Sequence, residues 1–170
     1  VGTITEIYDF LRLLYSKTAT AYSYVSGEKM VKYSDKDILK LILNDYDGKA
    51  ITLLAPVIKA RKGHYKELFK NILKQGFLKV RVDGVIVDIS RNMQVDRYKM
   101  HDIEIVIDRI QVNSKDKIRI TDAIALAMKH GKGVLMVIEK GQEQNDPRFF
   151  SRNLMCPTSG ISYDEPAPNT

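Results

Sequence analysis

A single cysteine, Cys156, stands among 170 residues, so no disulfide can close within the chain and a stapled secreted scaffold is excluded. No apolar run approaches the length of a membrane span, and no n-region, h-region and cleavage pattern opens the chain. A nucleotide-hydrolysing module needs a glycine-rich loop, GxxxxGK followed by Ser or Thr, whose backbone donors cradle phosphate. That loop does not occur here. The histidines His64, His101 and His130 lie far apart with neither HExxH nor HxxxH spacing, and each reads as a cap, loop or helix-end residue rather than a catalytic base. No catalytic set of nucleophile, base and oxyanion donors can be assembled, and no metal ligand set is named.

What the chain does have is positive charge on a globular composition. With 44% hydrophobic and 28% charged residues it can bury one substantial core, and a net charge of +6 suits contact with nucleic acid or with an acidic protein surface. It begins at a valine in mid-motif and reads as a piece of a longer cytoplasmic protein.

Thr3 and Glu6 have the spacing of a capping box, and Ile7, Leu11, Leu14 and Tyr15 follow at helical spacing, which predicts an opening helix. The polar stretch Lys17 to Lys32 reads as a connector. Ser34 with Asp37 starts a second helix carrying Ile38, Leu39, Leu41, Ile42 and Leu43, and Asp47-Gly48 ends it in a turn. Ala50 to Val57 reads as a buried strand with Pro56 near its end, where a missing donor does least harm. From His64 to Gln75 a helix places Tyr65, Leu68, Phe69, Ile72 and Leu73 on one face, and Gly76 stops it.

Asp83-Gly84 sits between Leu78–Val82 and Val85–Ile89, the pattern of a two-residue hairpin. Its register sets Val82 opposite Val85 and Val80 opposite Val87 on the buried side, with Lys79 opposite Asp88 outside. Ile103, Ile105 and Ile107 then alternate with Glu104 and Asp108 in a strand from Asp102 to Val112. A helix beginning at Ser114 or Asp116 carries Ile120, Ala123, Ile124 and Ala127 to Gly131, and Gly133 to Glu139 forms an apolar strand. The tail from Gln142 is turn-rich except for Arg148-Phe149-Phe150. Helices and strands alternate, but the hairpin prevents an all-parallel sheet, so the expected class is α/β (α+β) with a mixed or mainly antiparallel sheet and packed helices.

The basic residues carry the remaining signal. Lys66, Lys70 and Lys74 recur every fourth position beside an apolar helix face, Arg61 and Lys62 precede that helix, and Lys79 and Arg81 follow it. These seven form a candidate partner-binding surface, or a solvated face that keeps the domain soluble.

The opening string Val1-Gly2-Thr3-Ile4-Thr5-Glu6-Ile7-Tyr8-Asp9-Phe10-Leu11-Arg12-Leu13-Leu14-Tyr15 is too particular to be a generic amphipathic helix. With Leu54-Ala55-Pro56-Val57, Arg61-Lys62-Gly63, Lys74-Gln75-Gly76-Phe77 and Lys79-Val80-Arg81-Val82-Asp83-Gly84 in order after it, the chain resembles the UvrA family of bacterial excision-repair proteins along its whole length. The resemblance implies residues 1–27 as the edge of an ATP-binding domain with a connector, 28–142 as a UvrB-interaction domain and 143–170 as a return segment.

It implies a binding function, docking of UvrB, with DNA contact through the same basic residues as the alternative. It also implies a homodimeric, ATP-hydrolysing parent that recognises damaged duplex DNA, with the ATP site outside this chain. The family's CPxCG zinc knuckles meet Ser23-Tyr24-Val25-Ser26-Gly27 and Cys156-Pro157-Thr158-Ser159-Gly160 here. Serine hydroxyls are poor zinc ligands, so no cofactor, zinc included, is expected in this chain.

Overall fold

The computed structural model describes residues 13–15, 21–23, 31–143, 145–155 and 162–163. Its centre is a six-stranded sheet built from β3 (Ala50–Lys62), β4 (Lys79–Val82), β5 (Val85–Asp88), β6 (Met100–Gln111), β7 (Val134–Glu139) and β8 (Arg148–Ser151). The spatial order is β5-β4-β6-β3-β7-β8, and every neighbouring pair is antiparallel. Two short pairs stand apart, β1 (Leu13–Tyr15) with β2 (Ala21–Ser23) and β9 (Leu154–Met155) with β10 (Ser162–Tyr163).

Three helices, α1 (Asp35–Asp45), α2 (Lys66–Lys74) and α3 (Lys117–His130), deliver their apolar stripes to one face of the sheet. Ile38 and Ile42 of α1, Phe69 and Ile72 of α2, and Ile120, Ile124 and Ala127 of α3 form one core with Ile51, Leu53, Ile103, Ile105, Leu135 and Val137. Burying an Ile, Leu or Phe side chain of this kind contributes about 1.5–3 kcal/mol, so this layer carries most of the stability. The opposite face has a smaller cluster, Leu54, Val106, Met136 and Ile138, against which Ile86 and Phe149 pack.

Local signals explain several boundaries. The Ser34 hydroxyl accepts from Asp37 N–H and the Asp37 carboxylate accepts from Ser34 N–H, the reciprocal cap predicted for α1. Asp83 and Gly84 have φ values of 50° and 86°, both positive as a type I′ turn requires. The register is the expected one, Val82 opposite Val85, Val80 opposite Val87 and Lys79 opposite Asp88. Asn113, rather than Ser114 or Asp116, supplies the side-chain cap before α3, accepting from Lys115 N–H at the head of a 3₁₀ turn. Gly131 closes α3 where a Cβ would lie 2.1 Å from the Val134 carbonyl oxygen, so no larger residue fits without displacing backbone.

Other expectations need correction. Leu13–Tyr15 is extended and pairs with Ala21–Ser23, so the end of the predicted opening helix is a strand and the predicted connector contains another. Interstrand pairing supplies there the partners that helical spacing alone would have left within the segment. The rest of that helix, with its Thr3–Glu6 cap, lies outside the described residues. β3 runs on past Pro56 to Lys62; beyond Leu54 it pairs with β6 alone, and the register slips between Pro56 and Ile58, where a proline is tolerated. Val85 is 60% exposed rather than buried, because it starts the edge strand at the tip of the hairpin. β8 completes the sheet, and Tyr33 N–H donates to the Ser151 carbonyl.

Candidate functional site

The seven predicted basic residues do not form one surface. Lys66, Lys70 and Lys74 line the exposed side of α2, whose other side buries Phe69 and Ile72, and they make no ion pair among the described residues. Arg61 and Lys62 are exposed at the end of β3, opposite His101 and Met100. Alternation along β4 sends Val80 and Val82 toward the helices, which puts Lys79 and Arg81 on the opposite face, helix-free among the described residues.

That face is organised in three zones. At one end Lys79 Nζ lies 2.6 Å from Asp88 Oδ1, and Arg109 is close enough to add to the depression of the Asp88 pKa, which the Lys79 hydrogen bond dominates. The Lys79–Asp88 pair is exposed, so solvent screens most of its attraction. The middle is the Leu54, Val106, Met136 and Ile138 cluster. Two residues along β4 from Lys79, Arg81 Nη1 donates to Glu104 Oε1 at 2.6 Å, with the two side chains 11% and 4% exposed.

Arg81, one of the seven candidate partner-binding residues, is therefore buried and paired. Glu104 sits directly opposite it in the β4–β6 register, and the two neutralise each other under the hairpin. Burial raises the Glu104 pKa and outweighs the lowering effect of the Arg81 hydrogen bond. Arg81 Nε and Glu104 Oε2 are buried without a hydrogen-bond partner among the described residues. Both residues line a cleft of 460 Å³ whose apolar walls include Ile58, Met136 and Phe149.

Arg109 reaches this face through a bulge. Leu53 pairs with Asp108 and Leu54 with Val106, leaving Ile107 as the extra residue of β6. The slip reverses the alternation, so Asp108 turns to α3, where it pairs with Arg119 at 3.0 Å, and Arg109 joins Thr52 on the helix-free side. Strict alternation from Ile103 would have placed both on the wrong faces. The only sequence signal was the change of apolar parity between Ile105 and Ile110.

A third polar group anchors the hairpin turn. His101, 5% exposed in β6, has Nδ1 2.6 Å from Asp83 Oδ2 and Nε2 2.6 Å from the Asp96 carbonyl oxygen. Both neighbours are acceptors, so both ring nitrogens donate and the imidazolium form fits the site. The Asp83 hydrogen bond is the main cause that raises the His101 pKa, with the Asp96 carbonyl second. His101 is thus a strand residue in a buried network, not the cap or loop residue expected. His64 does cap, its Nδ1 accepting from Lys66 N–H at 3.1 Å, and His130 ends α3 against the Phe77 ring.

These groups bind and position; no cluster of three or more His, Cys, Asp or Glu side chains suited to a metal ion occurs among the described residues. Of the knuckle positions only Ser23 is described, in β2, whereas Ser26, Cys156 and Ser159 lie outside the described residues. No helix among the described residues is long and apolar enough to cross a membrane.

Comparison with known families decides what kind of domain this is, because a family model described as the UvrA interaction domain matches residues 34–141. The chain belongs to the UvrA interaction domain family. That match runs from the Ser34 cap of α1 through β7. Whole-chain similarity extends it: UvrABC system protein A of Deinococcus radiodurans is 34% identical over 175 residues, covering 100% of this chain and 17% of the relative. The Thermus thermophilus protein of the same name is 37% identical over 172 residues, covering 99% and 18%, and the Mycobacterium tuberculosis one is 34% identical over 174 residues, covering 100% and 18%. The chain thus spans less than a fifth of the length of these relatives. Within the family match fall all seven predicted basic residues, together with Glu104 and Arg109.

Proposed function

We propose that this chain is the part of a nucleotide-excision-repair damage-recognition protein that docks UvrB, and that UvrB sits on the helix-free face of the sheet. The observation that carries the reading is the family match over residues 34–141, which takes in both faces of the sheet and the hairpin. An interface works best with an apolar centre and a polar rim. On the helix-free face the half-buried Ile86 and Phe149 pack over the buried Leu54, Val106, Met136 and Ile138 cluster, and Lys79, Arg109 and the Arg81–Glu104 cleft lie around them. The exposed side of α2 offers lysines and no apolar centre. Charge on the rim would steer an acidic partner and set its register, while the packed middle would hold it.

By the same resemblance the parent is a cytoplasmic, homodimeric ABC-type ATPase that recognises distorted duplex DNA, the segment 28–142 is its UvrB-interaction domain, and its phosphate-binding loops lie outside this chain. Docking needs no chemistry at bonds, which agrees with a chain that acts by binding and not as an enzyme. Zinc does not fit the knuckle positions, since three of the four donors the motif would supply are Ser23, Ser26 and Ser159 beside the lone Cys156.

One observation favours DNA contact as a second reading. Lys66 and Lys70 share a groove with Arg91, Ser90 and Asn92, an arrangement that could neutralise phosphates. Titration of the 170-residue chain with UvrB and, separately, with duplex DNA over a range of salt concentrations tests both. UvrB binding with a shallow salt slope supports docking; binding of DNA alone, with the steep slope of counterion release, replaces it.

A further inference from the structure

We infer that the cleft at the Arg81–Glu104 end of the helix-free face is a receptor for one cationic side chain, an arginine presented by a partner protein. The inference stands on the groups of the cleft and not on the identity of the partner. In a chain of net charge +6, this cleft is lined by four carboxylates, Asp83, Asp102, Glu104 and Asp146, against two cations, Lys59 and Arg81. Asp83 is engaged by His101, and Asp102 accepts from Ala60 N–H at 2.8 Å. Asp146 is exposed at the rim and makes no side-chain hydrogen bond or ion pair among the described residues.

The deciding group is Glu104. Its side chain is 4% exposed and one oxygen is held by Arg81, yet Oε2 has no partner among the described residues. A buried acceptor left unsatisfied keeps its full desolvation cost, and native structures rarely keep one without a use. The unpartnered Nε–H of Arg81 lies in the same wall. The cleft therefore lacks one strong donor and one acceptor, and an arginine residue supplies both: its guanidinium donates to Oε2 and to Asp146, and its backbone carbonyl accepts from Arg81 Nε–H.

Ile58, Met136 and Phe149, which line the cleft, would cover the methylene stem. Entry requires the Arg81 guanidinium to turn about its single bond to Oε1, which one-point attachment allows. A polyamine would match the negative charge but leave Arg81 Nε–H unpaired and the planar fork unused.

The probe is N-acetyl-arginine methylamide, with N-acetyl-citrulline methylamide as its neutral isostere, titrated into the isotopically labelled 170-residue chain and followed by NMR at the Met136 methyl and the Phe149 ring. The expected result is a saturable shift with a Kd of about 1–10 mM for arginine and binding weaker by about tenfold for citrulline. Asp146→Asn, at an exposed position, should weaken arginine binding several-fold, and Glu104→Gln should abolish it. No saturable shift with arginine, equal binding of citrulline, or equal shifts with spermidine would overturn the assignment. Because the arginine and citrulline comparison uses the unsubstituted chain, a Glu104 variant that fails to fold leaves the test intact. Loss of UvrB binding is read separately, so either proposal can fail while the other holds.

Discussion

Asp83 and His101 join the tip of the hairpin to the neighbouring strand, with 2.6 Å between Asp83 Oδ2 and His101 Nδ1 while the other ring nitrogen holds the Asp96 carbonyl. The same aspartate accepts from Asp102 N–H through Oδ1, so one turn residue at positive φ fixes both the turn and its seat on β6. The pKa of His101 is raised in the fold, chiefly by Asp83. Its stabilising contribution is therefore complete below the unfolded value of about 6.5 and is lost as pH rises through the higher folded value. Thermal unfolding followed from pH 6 to 9 should show a falling Tm that is flatter in His101→Gln. An equal slope in both proteins would count against the imidazolium assignment.

The Arg81–Glu104 pair makes a sharp stability contrast with the surface lysines. Removing one partner of a buried pair costs about 3–5 kcal/mol, because the other charge stays buried, whereas an apolar pair of similar volume is often neutral. Arg81→Ala and Glu104→Ala should each lower the urea midpoint strongly, and Arg81→Met with Glu104→Leu should recover most of the loss. Lys70→Glu on α2 should change stability by no more than about 0.5 kcal/mol. Similar midpoints for Arg81→Ala and Lys70→Glu would show that the pair is solvated.

Gly84 has φ +86° and open space where a Cβ would go, with Arg81 Nη2 at 3.8 Å as the nearest atom. Any penalty for Gly84→Ala is therefore one of backbone conformation and not of collision. It should cost about 1–2 kcal/mol, the expense of a left-handed residue that carries a Cβ. Unchanged urea unfolding would mean that the turn relaxes to another type.

Ser34 contributes through its cap alone, since its residue is exposed and its hydroxyl bonds Asp37 N–H at 3.2 Å. Ser34→Ala should destabilise by about 1 kcal/mol and raise the depressed pKa of Asp37, whose largest cause is that hydroxyl. Calorimetry together with carboxyl NMR titration measures both effects.

Short-range physics accounts for which parts of this fold could be read in advance. The Asp83-Gly84 turn fixes a register by itself, and the Ser34–Asp37 cap needs only four neighbouring residues. The site was harder to read because its geometry depends on distant pairing. Alternation showed that Arg81 and Glu104 leave the helix side, but only the β4–β6 register places them opposite each other and buries them. The bulge at Ile107 reverses the faces of Asp108 and Arg109, and the change of apolar parity between Ile105 and Ile110 is its one local trace. The Arg148–Asp45 ion pair, 2.7 Å long, closes a separation of 103 residues between β8 and α1 and has no counterpart in any short motif.

The proposal that the helix-free face receives UvrB is tested most directly by calorimetric titration of UvrB with paired charge reversals, fold being checked by thermal melting. Lys79→Glu with Arg109→Glu should weaken binding by at least about tenfold, equivalent to about 1.4 kcal/mol, while Lys66→Glu with Lys70→Glu and Lys74→Glu should leave it within about twofold. Undiminished affinity in the sheet-face variant, with the loss appearing in the α2 variant, would contradict the account.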